Sequence, residues 1–382
     1  VTQELLTFTH SFTLPALRDL PPHTPTHGKS MDRLRSYSSG SQSAAAPVLP
    51  RPDENPEPEA LLAAYEAALI APDGTSLPPN DTLLAALKEA CKTEVPLSAL
   101  DLRGVALGRA GARPLSAVLQ LDSFVTFINL EENDLGDDGV SAVADALRTH
   151  PTVFRLDLGY NGIGGRGVKA LAALLLDSGS LLCLDLSGNN LYSRLSMLAP
   201  ASLSALAPLG RSLASPRCKL QLLHLDNADI EPKGLSALVD GLLVNETVVN
   251  LRLGENALDA RSAAVLGKLL KGNQTLTSIA SCMCMHLHVR TGKLLKGNQT
   301  LTSIDLRENA LKDEGCAAVG EALALNSGLK CLVLWNNGIG GTGVRALSQG
   351  IAANTSLQVH VGTWMGAHGE AHAGTCMGVS SK

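Results

Sequence analysis

The chain has 382 residues, a net charge of -5, 36 glycines and only 3% aromatic residues. So mild a charge excludes a nucleic-acid binder driven by phosphate contacts, which needs a strongly basic surface. No run approaches the roughly 18 apolar residues of a spanning helix, and the broken apolar stretches near Leu5 and from Phe12 to Leu17 do not form a secretion signal, so no membrane partner is predicted. The chain opens on Val1 rather than Met, which points to a start further upstream.

Residues 1–57 are rich in Pro, Ser, Thr and His and lack apolar periodicity. Such a stretch cannot bury enough apolar surface to offset its ordering entropy, and disorder is predicted. Across 58–95 the pattern changes. Leu61, Leu62, Tyr65, Ala68 and Leu69 have helical spacing, closed by Pro72-Asp73-Gly74, and Asn80 stands as a polar cap before a second apolar run. Two such helices would close the exposed end of a repeat array.

From 96 to 356 the chain repeats itself. The unit Leu-x-x-Leu-x-Leu-x-x-Asn-x-Leu is carried by Leu97, Leu100, Leu102, Val105 and Leu107, then by Val125, Ile128, Leu130, Asn133 and Leu135. It returns at Leu156, Leu158, Asn161 and Ile163, at Leu184, Leu186, Asn189 and Leu191, and at Leu223, Leu225, Ala228 and Ile230. Later copies hold Asn256, Asn309 and Asn337. The steps from Asn133 to Asn161, from Asn161 to Asn189 and from Asn309 to Asn337 are equal. A fixed period means stacked units, each buried only by its neighbours. The second half of each unit is amphipathic and helical, as in Asp137 to Leu147 and Glu231 to Leu242. One strand and one helix per unit, connected right-handedly, predict an α/β horseshoe with parallel strands on the concave face and helices on the convex face. The recurrent Asn, able to donate and to accept, should satisfy backbone groups where each coil turns.

Two irregularities break the period across about 8 repeats. The fifth unit arrives late: its Ala228 stands well beyond one regular step from Asn189. Residues 192–219 therefore carry an insertion of about 11 residues, expected to bulge on the helical side. Gly267 to Ile279 recurs letter for letter as Gly292 to Ile304, which marks 280–304 as a recent duplication or a gene-model error and predicts a degenerate repeat there. In the tail, 357–382, a strand begins near Leu357 and the repeat grammar then stops.

Several motifs have simpler readings. Gly162-Ile-Gly164-Gly-Arg-Gly167 has the form of a dinucleotide turn, but Gly338-Ile-Gly340-Gly-Thr-Gly343 repeats it at the same place in another unit, so the repeat explains both. Cys282, Cys284, His286 and His288 alternate on a strand at about 6.6 Å per pair, too spread for one tetrahedral metal. His368, His372 and Cys376 lie in a glycine-rich tail. The sequons at Asn245, Asn273, Asn298 and Asn354 share one repeat position, which indicates turn chemistry. The eight scattered cysteines read as reduced core residues of an intracellular protein, cytoplasmic or nuclear. No nucleophile elbow or phosphate loop occurs, and no cofactor, metal or catalytic residue is predicted.

The organised chemistry lies on the concave strand face, because residues alternate between core and solvent. Its central column reads Asp101, Asn129, Asp157, Asp185, His224, Arg252, Asp305 and Val333. The flanking columns add Arg103, Glu131, Asp226, Arg307 and Trp335, then Glu132, Tyr160 and Glu255. This face is predicted to be acidic and to attract a protein partner with a basic segment, with Tyr160 and Trp335 as aromatic anchors.

Over Leu97 to Ser356 the units resemble leucine-rich repeats of the ribonuclease-inhibitor type. The resemblance implies a horseshoe solenoid and a non-enzymatic interaction scaffold. It also extends to Ran-type GTPase-activating proteins and to NOD-like receptors, so activation of a small GTPase and ligand sensing are the alternative functions. No residue matches the activators' arginine loop, for which Arg103 is the nearest candidate. Oligomeric state is not legible.

Overall fold

In the computed structural model, which describes residues 57–71, 73–191, 204–256, 260–280, 295–307, 311–365 and 371–374, each repeat places one short strand beside the last. The strands are β1 (Ala99–Asp101), β2 (Phe127–Asn129), β3 (Arg155–Asp157), β4 (Cys183–Asp185), β5 (Leu222–His224), β6 (Asn250–Arg252), β7 (Ser278–Ala280), β8 (Ser303–Asp305), β9 (Cys331–Ile339), β10 (Val359–Met365) and β11 (Ala371–Gly374). They form one sheet in sequence order. β1 to β10 pair in parallel and β11 returns antiparallel to β10.

Register follows the period. Leu100, Ile128, Leu156, Leu184, Leu223, Leu251, Ile279, Ile304 and Leu332 face one another from strand to strand. All are buried, and they join the leucines that follow each strand in one core. Each fully buried aliphatic side chain of this column contributes about 1.5–3 kcal/mol. Among the described residues Cys91, Cys183, Cys218, Cys316 and Cys331 are free. Burial pushes the Cys183 and Cys316 thiols up to about 12, which makes them inert packing groups.

The helices are α1 (Pro58–Ala68), α2 (Asp81–Thr93), α3 (Gly108–Leu121), α4 (Gly136–Leu147), α5 (Gly165–Asp177), α6 (Ala207–Leu213), α7 (Pro232–Leu242), α8 (Ala260–Gly272), α9 (Lys312–Leu323) and α10 (Gly341–Ala353). From α3 to α8 each packs on the next, and α9 packs on α10. α1 packs on α3. Asn80 links the first helices to the array: its Oδ1 accepts from the Leu83 amide at 3.1 Å, and its Nδ2 donates to the Val105 carbonyl at 3.0 Å. Val105 stands where later repeats carry Asn, so Asn80 satisfies from outside a carbonyl at the first turn.

The recurrent Asn forms a buried ladder. Asn161 Oδ1 accepts from the Asn133 and Leu135 amides of the preceding repeat at 3.2 and 3.3 Å. Its Nδ2 donates to Leu130 O at 2.8 Å, Leu158 O at 3.1 Å and Gly159 O at 3.0 Å. Asn189 repeats the pattern onto Asn161 and Ile163, and Asn256 onto Ala228 and Ile230. A second ladder runs through the turns that lead into the strands. Asn245, Asn273 and Asn298 accept from amides two and three residues on, while their Nδ2 atoms donate to the carbonyls of Leu213, Leu242 and Leu270. Asn354 does the same toward Leu323. The sequon nitrogens are thus structural donors, as the turn reading expects. Asp122, His150 and Ser178 occupy this position in earlier repeats.

The irregularities resolve in part. α6, in the second half of 192–219, packs between α5 and α7 as the helix of its own repeat. Both copies of the duplicated segment enter the sheet, with Ser278, Ile279 and Ala280 opposite Ser303, Ile304 and Asp305. The Cys282 to His288 run, His368, residues 1–56 and 192–203 lie outside the described residues. The strand expected near Leu357 starts at Val359. β11 has no counterpart in the sequence reading, because Ala371-His-Ala-Gly374 lacks a strand-forming pattern. Its pairing covers the backbone edge of β10.

Replacing Asn161 by Ala orphans the buried Asn133 and Leu135 amides and takes one of two donors from the carbonyls of Leu130, Leu158 and Gly159. Urea titration should show a loss of about 3 kcal/mol; a loss below about 1 kcal/mol would remove the ladder from the account.

Candidate functional site

The sheet face opposite the helices is the surface on which the array collects polar chemistry. Parallel pairing aligns Asp101, Asn129, Asp157, Asp185, His224, Arg252, Ala280, Asp305 and Val333 in one column. The structure thus brings the predicted column together, with Ala280 added between Arg252 and Asp305. The residues just after the strands take left-handed backbone at Glu132, Tyr160, Asn227 and Glu255, and Asn336 does so at the equivalent place within β9.

Four arginines on this face are each engaged. Arg103 lies 3.3 Å from Glu131 and 2.6 Å from Glu132, so the nearest candidate for the activators' arginine is tied within its own face. Arg155 grips Asp157 through Nε at 3.0 Å to each carboxylate oxygen, and its guanidinium sits 5.3 Å above the Phe127 ring. Arg252 pairs with Asp226 at 2.5 Å, and Arg307 with Asp305 through Nε at 2.8 Å. His224 Nδ1 lies 3.2 Å from Asp185 Oδ2. The face is thus less uniformly acidic than the sequence suggests. Sequence reasoning misses Arg155 and Phe127, although each stands two residues before the central column and so shares its face.

A negative surplus nevertheless remains. From β1 to β6 there are seven carboxylates (Asp101, Glu131, Glu132, Asp157, Asp185, Asp226 and Glu255) against the guanidinium groups of Arg103, Arg155 and Arg252. Glu132 and Glu255 are exposed, whereas Asp157 is buried beneath Arg155. Burial raises the Asp157 carboxyl above its ordinary range, with Arg155 opposing. Burial also raises Glu131, Arg103 opposes, and the neighbouring Asp185, Glu132 and Asp157 charges add to the rise. Burial would raise Asp185 too, but the His224 hydrogen bond and the Ser187 donors hold it below the usual value.

The aromatic candidates lie far apart along the face. Tyr160 is half exposed, its ring over Gly188, where a Cβ would come within 2.4 Å of the ring. Trp335 is 44% exposed at the end of the face formed by β9.

The glycine turns carry an internal anion. Asp137 Oδ1, from the preceding repeat, accepts from the Gly164 amide at 2.7 Å and the Gly167 amide at 2.9 Å. Asp313 accepts in the same way from Gly340 at 2.6 Å and also from Thr342. A Cβ at Gly167 would lie 2.9 Å from Asp137 Oδ1, and one at Gly343 would lie 2.7 Å from Asp313 Oδ1. The donors that would cradle a phosphate are spent on a neighbouring carboxylate, and glycine is needed to let it in.

The raised Glu131 carboxyl has a pH consequence. The folded chain takes up this proton before the unfolded chain does, so the associated stability is present at low pH and is lost as pH rises through the folded value. Glu131→Gln should therefore flatten the rise in stability as pH falls from neutrality toward the ordinary glutamate range near about 4.3, followed by urea titration at each pH. An identical slope in both proteins would contradict the assignment.

A family model described as Leucine Rich repeat matches residues 122–144, 149–172, 297–320 and 326–348. The chain is 26% identical over 170 residues to a protein phosphatase 1 regulatory subunit 37 homolog of Caenorhabditis briggsae, a match covering 43% of this chain and 15% of that protein. It is 28% identical over 158 residues to human NACHT, LRR and PYD domains-containing protein 5, covering 40% and 13% respectively. The chain thus spans less than a sixth of the length of these relatives. Among solved structures, the leucine-rich repeat-containing protein LegL7 from Legionella pneumophila is 19% identical, with a TM-score of 0.46 over 73% of this chain and 87% of that one. No described helix is long and apolar enough to cross a membrane. The repeat matches, the in-register parallel sheet and the asparagine ladder together identify the array as a leucine-rich-repeat solenoid, similar to the ribonuclease-inhibitor type.

Proposed function

We propose that this chain is a non-enzymatic interaction scaffold that holds a partner protein across the open strand face, through a basic segment of that partner. The observation that carries this reading is the surplus of four carboxylates on the face from β1 to β6, fixed in position by the sheet register. A surface of this kind accelerates and orients the approach of a cationic partner. Arg103 is committed to Glu131 and Glu132, which favours binding over activation of a GTPase. The free thiols and the buried sequon amides support an intracellular setting.

The similarity to regulatory subunit 37 homologues supports a narrower reading, in which the partner is protein phosphatase 1 or an assembly containing it. Direct binding of the purified phosphatase catalytic subunit separates this from capture of another protein.

Reversing charge at exposed Glu132 and Glu255, as Glu132→Lys with Glu255→Lys, spares the buried pairs. Affinity capture from cell extract should lose its salt-sensitive partners by at least about tenfold, or about 1.4 kcal/mol, while the thermal melt stays unchanged. Unchanged capture would refute the role of the face.

A further inference from the structure

The chemistry of the open face changes at β7. Up to β6 its columns are charged. From β7 to β9 they carry Ser278 and Ala280, then Ser303 with Asp305, then Cys331 and Val333. Among the described residues of this stretch Asp305 is held by Arg307, so those on the face add no net charge; Glu308 lies outside them. At its end Val333 is partly exposed, and the large indole of Trp335 is 44% exposed.

A wholly basic segment would cover the carboxylates and leave Trp335 in water. A wholly apolar one would strip water from the accessible carboxylates of β1 to β6 without replacing it, a costly exchange. The two halves of the face call for different chemistry in one occupant.

We propose that the partner segment is bipartite: it crosses the strands with Lys or Arg over β2 to β5 and ends in a large apolar side chain seated on Val333 and Trp335. This rests on the reading that the open face is the binding surface, and it adds the composition and the span of what binds there. Strands about 4.8 Å apart put β9 about 19 Å from β5 and about 34 Å from β2. The two anchors of the partner are therefore separated by roughly 6–10 residues if extended, or by about 13–22 in a helix. Trp335 supplies the desolvated contact that concentrates binding energy, and the carboxylates supply orientation and approach rate.

The test uses three synthetic peptides of about 22 residues, matched to the helical span: one with a Lys/Arg half and a neutral Leu/Phe half, one basic throughout, and one neutral throughout. The bipartite peptide is made in both sequence directions. Fluorescence anisotropy with the full chain should show one bipartite peptide binding at least tenfold tighter than the basic one. Trp335→Ala should reduce it to the basic peptide's level without affecting the basic peptide, and Trp335→Phe should restore most of the difference; thermal melts of both variants control for folding. Equal affinity of the bipartite and basic peptides, insensitive to Trp335→Ala but lost in Glu132→Lys with Glu255→Lys, would overturn the bipartite assignment and leave the basic-partner reading standing. Binding of none of the peptides would overturn both.

Discussion

The structure depends on a buried primary amide that bridges successive coils. A chain that turns inside its own core leaves backbone amides and carbonyls with no water to meet them, and each orphan costs about 1–3 kcal/mol. Asn161 answers this on both sides, accepting from the repeat before it and donating to carbonyls of that repeat and its own. No apolar residue does both. The second ladder, through Asn245, Asn273, Asn298 and Asn354, repeats the solution at the other turn. With both turns satisfied, the strands lie parallel and in register, and Leu100, Ile128 and Leu156 stack as one column.

That register creates the candidate binding surface. Side chains one full repeat apart in the chain become neighbours, so the face is a two-dimensional arrangement drawn from a one-dimensional period. The same closeness explains why the carboxylates are not simply free. Asp157 and Arg155 sit two residues apart on one strand and must share a face, and Arg103 reaches across to Glu131 and Glu132 in the next repeat. Charge that is paired locally orients a partner more than it attracts one. In the proposed reading, the surplus of carboxylates and the change to neutral and apolar chemistry past β6 carry the recognition.

The fold was legible because repetition makes register visible. Once Asn133, Asn161 and Asn189 stand at equal steps, the residues that face one another follow by counting, and the central column read from sequence is the one observed. What escaped were contacts set by side-chain reach. Arg155 over Phe127 follows from alternation but not from the leucine template. Asp137 entering the Gly164 turn joins two successive repeats, and only the coordinates show that this carboxylate occupies the place of a phosphate. β11 left no trace because Ala371-His-Ala-Gly374 lacks a strand-forming pattern and stands outside the repeat.

The most direct test of the central claim is native-state hydrogen exchange at the amides of Asn133, Leu135, Asn161 and Ile163, which lie in turns and donate to asparagine side chains rather than to a strand or a helix. The ladder predicts protection equal to that of the leucine amides in the neighbouring strands, because these turns open only when the coils separate. Exchange at loop rates, with the strands still protected, would contradict it.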